Sequence, residues 1–224
     1  MSVRLAVFAS GGGSNLQAIL NRFVDAEHVR VALVVSDRAA SGALAHAASA
    51  GVPAVHIAVG GRAEADVAAD TLAALTAHQI DLLALAGYLR LVPPAVVGRY
   101  SGRMLNIHPA LLPAFGGAGM YGRHVHEAVL AAGCRVTGAT VHYVDERYDE
   151  GRIVAQWPVP VLPGDTPATL AARVLKVEHR LYPAVIDAIA RGVSGERESS
   201  AAEAFQLGGD MPPADQQIIA IARI

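Results

Sequence analysis

Short apolar runs alternate with stretches of helical spacing along the first half of this chain. Val3 to Ala9, Val29 to Val35, Val52 to Val59, Asp81 to Ala86 and Arg103 to His108 predict buried strands. Leu16 to Phe23, Ser41 to Ala50, Ala63 to His78 and a segment opening at Pro93 and running to Tyr100 predict the helices between them. Ser14 and Gln17 have the spacing of a capping box, and Gly51 stops the second helix. This order predicts an α/β fold, a doubly wound and mostly parallel sheet with right-handed crossovers. After residue 122 the texture changes. Arg123 to Ala132 predicts a helix, Val136 to Val144 and Ile153 to Val161 predict strands, and Thr166 to Arg191 a long helix that Pro183 bends or ends. No Pro-, Gly- or Ser-rich linker precedes Gly192, so residues 1–192 are expected to form one domain. Residues 193–224 read as a tail of mixed charge, packed on the surface or frayed.

Composition narrows the function. Of 224 residues 53% are hydrophobic, mostly Ala, Val and Leu, and 22 more are Gly, which suits helices packed on a parallel sheet. A net charge of −2 without a Lys/Arg block argues against a nucleic-acid partner. One cysteine, Cys134, excludes an internal disulfide and multi-cysteine zinc sites, and, since a nucleophile would need a paired base, it is expected to be a buried or loop thiol without chemistry. No run is long enough to span a membrane, and Leu5 to Ala9 is too short for a signal peptide, so a cytoplasmic enzyme is expected.

The candidate chemistry is concentrated in three segments. In Met104-Leu-Asn-Ile-His-Pro-Ala-Leu-Leu-Pro113 the i,i+2 spacing puts Asn106 and His108 on one strand face, and Pro109 and Pro113 stiffen the exit. An amide beside an imidazole at a strand's carboxyl end suits oxyanion stabilisation and proton transfer. Ser10-Gly-Gly-Gly-Ser-Asn15, between strand and helix, forms an anion site from close backbone and helix-start N–H groups. Leu16 stands where a dinucleotide fingerprint has its third glycine, and no P-loop lysine follows, so a phosphate monoester fits best. Asp37 ends the second strand as a ribose-binding acid would, but without that third glycine it is discounted. In Val144-Asp-Glu-Arg-Tyr-Asp-Glu-Gly151 more than one carboxylate could reach an imidazole, and the pattern alone does not choose.

Ser10-Gly-Gly-Gly-Ser-Asn-Leu-Gln-Ala-Ile19, Leu85-Ala-Gly-Tyr-Leu-Arg90, Leu105-Asn-Ile-His-Pro-Ala-Leu-Leu-Pro113, Tyr148-Asp-Glu-Gly151 and Glu178-His-Arg-Leu-Tyr-Pro183 carry a family resemblance. Over residues 3 to 192 the chain resembles the folate-dependent phosphoribosylglycinamide formyltransferases, with their Rossmann-like formyltransferase fold. The resemblance implies formyl transfer from the cosubstrate 10-formyltetrahydrofolate to the amine of glycinamide ribonucleotide in purine biosynthesis, without a metal, in a monomer or weak homodimer. It implies Asn106, His108 and Asp149 as catalytic residues. It implies Gly12, Gly13, Ser14, Asn15, Pro109 and Glu178 for the ribonucleotide and its phosphate, chiefly in the N-terminal half. For folate it implies Arg62, Leu85, the main chain of Leu89 and Arg90, Val92, His142, Glu146, Arg147 and Tyr148, with the folate side assigned chiefly to the C-terminal half.

The chain departs from the family at Gly116-Gly-Ala-Gly-Met-Tyr-Gly122, longer in glycine than the usual Pro-Gly version, and at Leu175, where some members carry a polar phosphate contact; either Lys176 replaces that contact or the glycine loop suffices without it. The loops 115–122 and 145–151 are expected to order when folate binds. His124 and His126, two apart on a helix, cannot share an ion and are expected at the surface or in packing. Trp157 and Phe115 read as packing residues. Within the superfamily, a formyltetrahydrofolate hydrolase would need a regulatory domain before residue 3, and a methionyl-tRNA formyltransferase a basic domain after Gly192; neither is expected. A non-catalytic ligand-binding module would not need Asn106, His108 and Asp149 together.

Overall fold

The computed structural model describes residues 2–193 and 219–221. They fall into two compact units, Met1–Asn106 with Tyr143–Tyr148, and Ile107–His142 with Asp149–Ile224.

In the first unit the chain alternates β1 (Val3–Phe8), α1 (Ser14–Phe23), β2 (Val29–Ser36), α2 (Gly42–Ser49), β3 (Ala54–His56), α3 (Glu64–Ala77), β4 (Leu82–Leu85), α4 (Pro94–Arg99) and β5 (Met104–His108), the last running on into the second unit. The strands lie in the order β3-β2-β1-β4-β5 and every pairing is parallel. Alternation along β1 explains the double winding: Ala6 and Phe8 join Leu33, Leu83, Met104 and the inner residues of α3 and α4 in one core, while Leu5 and Val7 are buried on the opposite face. This is the doubly wound, mostly parallel α/β fold expected. Ser41 caps α2, its hydroxyl accepting from Leu44 N–H. Pro93 is the N-cap of α4, with Pro94 the first helical residue. The strand expected over Val52 to Val59 shrinks to Ala54–His56, because it is the edge of the sheet, half exposed, and Pro53 has no N–H to donate.

The second unit holds α5 (Arg123–Ala131), β6 (Val136–Tyr143, whose last residue belongs to the first unit), β7 (Ile153–Pro160), α6 (Pro167–Val193) and β8 (Ile219–Ile221). β6, β7 and β8 are antiparallel neighbours in that order. α6 begins at Thr166-Pro167, where the Thr166 hydroxyl accepts from Thr169 N–H and Pro167 needs no partner. Pro183 does not end α6, which continues to Val193. Buried Leu181, Tyr182, Val185 and Ile186 flank it, and their packing outweighs the lost backbone hydrogen bond. Of the expected tail, only β8 lies among the described residues; 194–218 and 222–224 lie outside them.

Candidate active site

The first unit's strand order reverses between β1 and β4, and ligands of open α/β sheets bind at the carboxyl ends beside such a switch. β1 runs there into the glycine loop. Gly13, at φ 79° and ψ 23°, is the N-cap of α1, and no side chain caps this end. A Cβ on Gly13 would lie 2.8 Å from Ala43 Cα, so only glycine lets the loop rest on α2. The expected capping box is therefore corrected. Ser14 is already helical, and Gln17 Nε2 donates to Asn21 Oδ1 at 2.7 Å instead. A helix start without a side-chain cap suits a phosphate, which brings the missing acceptors. Gly12 and Ser14 are exposed, and Asn15 is buried.

The segment after β4 is held from below. Ser10 N–H donates to the Gly87 carbonyl at 3.1 Å, and Ser10 Oγ accepts from Leu89 N–H at 2.9 Å. The amide of Leu89 is thus occupied by Ser10. Arg90 Nε donates to Asp37 Oδ2 at 3.0 Å. Tyr88 stacks edge-on against Phe8, and burial, then the Asp37 charge, push its phenol up to about 12. Leu85 and Val92 are buried in the core of this unit. Arg62 is paired with Asp70 at 2.7 Å. Glu146, Arg147 and Tyr148 are exposed, with Arg147 N–H donating to Asp145 Oδ1 at 2.9 Å.

In the second unit one carboxylate lies between two imidazoles. His108, buried at the end of β5, has Nδ1 3.4 Å from Asp149 Oδ2, and His142 Nε2 is 3.5 Å from Asp149 Oδ1. Asp149 Oδ2 also accepts from Gly117 N–H at 3.0 Å. Asp149 is thus a carboxylate of that loop held beside both His108 and His142. His108 Nε2 donates to the carbonyl of Phe115 at 2.8 Å. That contact was not legible in the sequence: Phe115 takes φ 58°, a left-handed backbone that bulky residues rarely adopt, and no residue pattern announces it. Beside it Gly116 lies so close that a Cβ would meet Leu112 Cδ2 at 2.6 Å and Asp149 Cβ at 3.2 Å.

The electrostatics set His108 near a balance. Burial pushes its pKa down; Asp149 and the Phe115 carbonyl push it up, His142 pushes it down again, and the net shift is downward. A neutral ring can give its one proton to only one of two acceptors, whereas an imidazolium satisfies both. Burial also pushes the Asp149 carboxyl up, but the His142 hydrogen bond, the His108 charge and the Gly117 N–H together outweigh it and hold the group ionised, below its usual range. Such a pair can accept and return a proton without a large change of state.

The exit from β5 is tied down by side-chain hydrogen bonds. Thr140 Oγ1 donates to the Ala110 carbonyl at 2.6 Å and accepts from Leu112 N–H at 3.1 Å, and Gln156 Nε2 donates to the Leu112 carbonyl at 2.9 Å, stapling the exit from β5. Asn106 is half-buried two residues before His108 on β5, and Pro109 is half-buried just after it. Glu178 is buried in the apolar stripe of α6, at the spacing of Val174 and Tyr182, where a carboxylate needs a reason to be. Leu175 is half-buried and Lys176 exposed. His124 is exposed beside Glu127, while His126 is buried with Nδ1 partnerless. Trp157 is buried under the Arg180 guanidinium, 5.1 Å away, and Cys134 is a free thiol. Among the described residues no set of His, Cys, Asp and Glu could hold a metal ion, and no helix is long and apolar enough to cross a membrane.

Comparison with known proteins gives a consistent result. Residues 3–186 match the family model described as formyl transferase. The chain is 45% identical over 189 residues to the chloroplastic phosphoribosylglycinamide formyltransferase of Arabidopsis thaliana, covering 83% of this chain and 65% of that protein. It therefore spans a little under two thirds of that plant relative's length. It is 43% identical over 188 residues to the phosphoribosylglycinamide formyltransferase of Mycobacterium tuberculosis, covering 84% of this chain and 85% of that one. The crystal structure of glycinamide ribonucleotide transformylase 1 from Symbiobacterium toebii superposes with a TM-score of 0.80 at 42% identity, over 85% of this chain and 89% of that one.

Proposed function

We propose that this chain, which belongs to the phosphoribosylglycinamide formyltransferase family, moves the formyl group of 10-formyltetrahydrofolate onto the amine of glycinamide ribonucleotide. The neutral amine attacks the formyl carbon, forming a carbon–nitrogen bond and a tetrahedral oxyanion. The bond from that carbon to the folate nitrogen then breaks. The proton lost by the amine ends on the departing folate, giving N-formylglycinamide ribonucleotide and tetrahydrofolate.

The observation that carries this reading is the His108–Asp149 pair, one side chain from each of two distant segments, closed by a carboxylate that also holds His142. In the proposed assignment Asn106 donates to the oxyanion, while His108 steadies that charge and relays the proton. Asp149 fixes the orientation of His108 and its proton supply. Groups of these kinds contribute roughly 10²- to 10⁴-fold each. Gly12, Gly13, Ser14 and Asn15 take the phosphate, and Glu178 with Pro109 the ribose and amine end. Arg62, Arg90, Glu146, Arg147, Tyr148 and His142 serve the folate, with the Leu89 carbonyl and the apolar support of Leu85 and Val92. The enzyme acts as a monomer or weak homodimer in the cytoplasm, with no nucleic-acid or membrane partner.

A turnover assay with 10-formyltetrahydrofolate, with and without the ribonucleotide, tests this. Tetrahydrofolate should appear only when both are present, with one formylated ribonucleotide per folate. Equal release without the ribonucleotide would make the chain a hydrolase instead.

A further inference from the structure

Asp37 is a buried charge that the reaction leaves unused. It stands just past the end of β2, and its side chain is only 1% exposed. Oδ2 accepts from Arg90 Nε at 3.0 Å, while Oδ1 is buried with no partner. A carboxylate so placed is costly unless an opposite charge stays beside it. That charge comes from the loop 87–90, far along the chain, and Arg90 keeps its own side chain half exposed.

Each residue of that loop has an anchor at or just past the carboxyl ends of β1 and β2. Gly87 is held through its carbonyl by Ser10 N–H, Tyr88 through its ring by Phe8, Leu89 through its amide by Ser10 Oγ, and Arg90 by Asp37. Three of the four anchors belong to β1 or the glycine loop that follows it. Asp37, the one anchor of the four supplied from the segment after β2, is the ionic one.

From this we infer that Asp37 is a positioning residue for the folate-facing loop, acting through Arg90 and not on any ligand's ribose. The inference rests on the folate reading above. The Asp37–Arg90 pair fixes where the backbone of residues 89 and 90 presents its remaining polar groups, so losing it should weaken folate recognition and leave the ribonucleotide untouched. A displacement of about 1 Å in such a support can cost as much as a hundredfold, so about tenfold is expected for one lost anchor of four.

The test is steady-state kinetics on Asp37→Ala, Asp37→Asn, Arg90→Ala and the double variant Asp37→Ala/Arg90→Ala. Asp37→Ala should raise the KM for 10-formyltetrahydrofolate about tenfold while the ribonucleotide KM stays within about twofold. Asp37→Asn keeps an acceptor for Arg90 Nε and should recover most of the loss. The double variant should be no worse than the poorer single one, because both remove the same link. Hydrogen exchange of the Leu89 amide should be faster in Asp37→Ala than in the wild type.

An unchanged folate KM, equal rises in both KM values, multiplicative singles or unchanged Leu89 exchange would each overturn the inference. If Asp37→Ala fails to fold, Asp37→Asn against Arg90→Ala decides it by the same KM split. Failure of the formyltransferase reading would show separately, as absent turnover in the wild type, and the Leu89 exchange would still judge the tether.

Discussion

His108 faces two acceptors with a single proton to divide between them when it is neutral, and the consequences can be measured on that ring alone. Burial lowers its pKa more than Asp149 and the Phe115 carbonyl raise it, so an NMR titration of the His108 ring should have its midpoint below the ordinary value of 6.5. In Asp149→Asn one of the raising causes is gone, and the midpoint should fall further. A midpoint above 6.5 in the wild type, or an upward move in the variant, would contradict the balance described. At this scale the sequence was legible where chemistry is local. Asn106 and His108 stand out because their i,i+2 spacing on an apolar strand has few other uses. What escaped were contacts fixed by backbone shape or by distant partners: the Phe115 carbonyl on His108, and the pairing of Asp37 with Arg90, 53 residues away.

The glycine loop shows what an element can demand of single positions. Gly13 is held by its positive φ and by the Ala43 backbone, whereas a Cβ on Gly12 would meet nothing within 4 Å. Gly12→Val should therefore keep the melting temperature within about 2 °C and raise the ribonucleotide KM about tenfold, leaving the folate KM nearly unchanged. Gly13→Ala should instead cost about 1–3 kcal/mol of stability, read by denaturant unfolding. If Gly12→Val binds the ribonucleotide normally, the loop does not hold the phosphate. A second prediction concerns the loops 115–122 and 145–151, which should gain hydrogen-exchange protection when tetrahydrofolate binds; unchanged protection would rule out closure. The element pattern itself was readable because strands and helices alternate with distinct periods. It misled where tertiary contacts outweigh local signals. Gly13 displaced Ser14 as the cap because α2 lies against it, Pro183 stayed helical because its neighbours are core, and β3 shortened because an edge strand has one partner.

Across the molecule, three histidines share one direction of shift. His108, His126 and His179 are all lowered from 6.5, in each case first by burial. The folded protein therefore holds fewer protons than the unfolded chain between the lowered values and 6.5. The stability this gives is complete above about pH 6.5 and is lost as pH falls through the folded values. The melting temperature should drop between about pH 7 and about pH 5, and His126→Phe should flatten that slope. A pH-independent melting temperature over this range would show that the three rings are not held neutral. The fold class was legible at this scale because a mostly apolar chain with β-α alternation has few ways to bury both faces of a parallel sheet.

The central claim is that Asp149, through His108, serves the chemical step and not the binding of either substrate. The direct measurement is kcat and both KM values for Asp149→Asn, an isosteric change that keeps the loop's shape and removes the charge. Asp149→Asn should lower kcat about 10²-fold or more, with each KM within about threefold of the wild type. A kcat near the wild-type value, or a loss confined to the KM values, would contradict it.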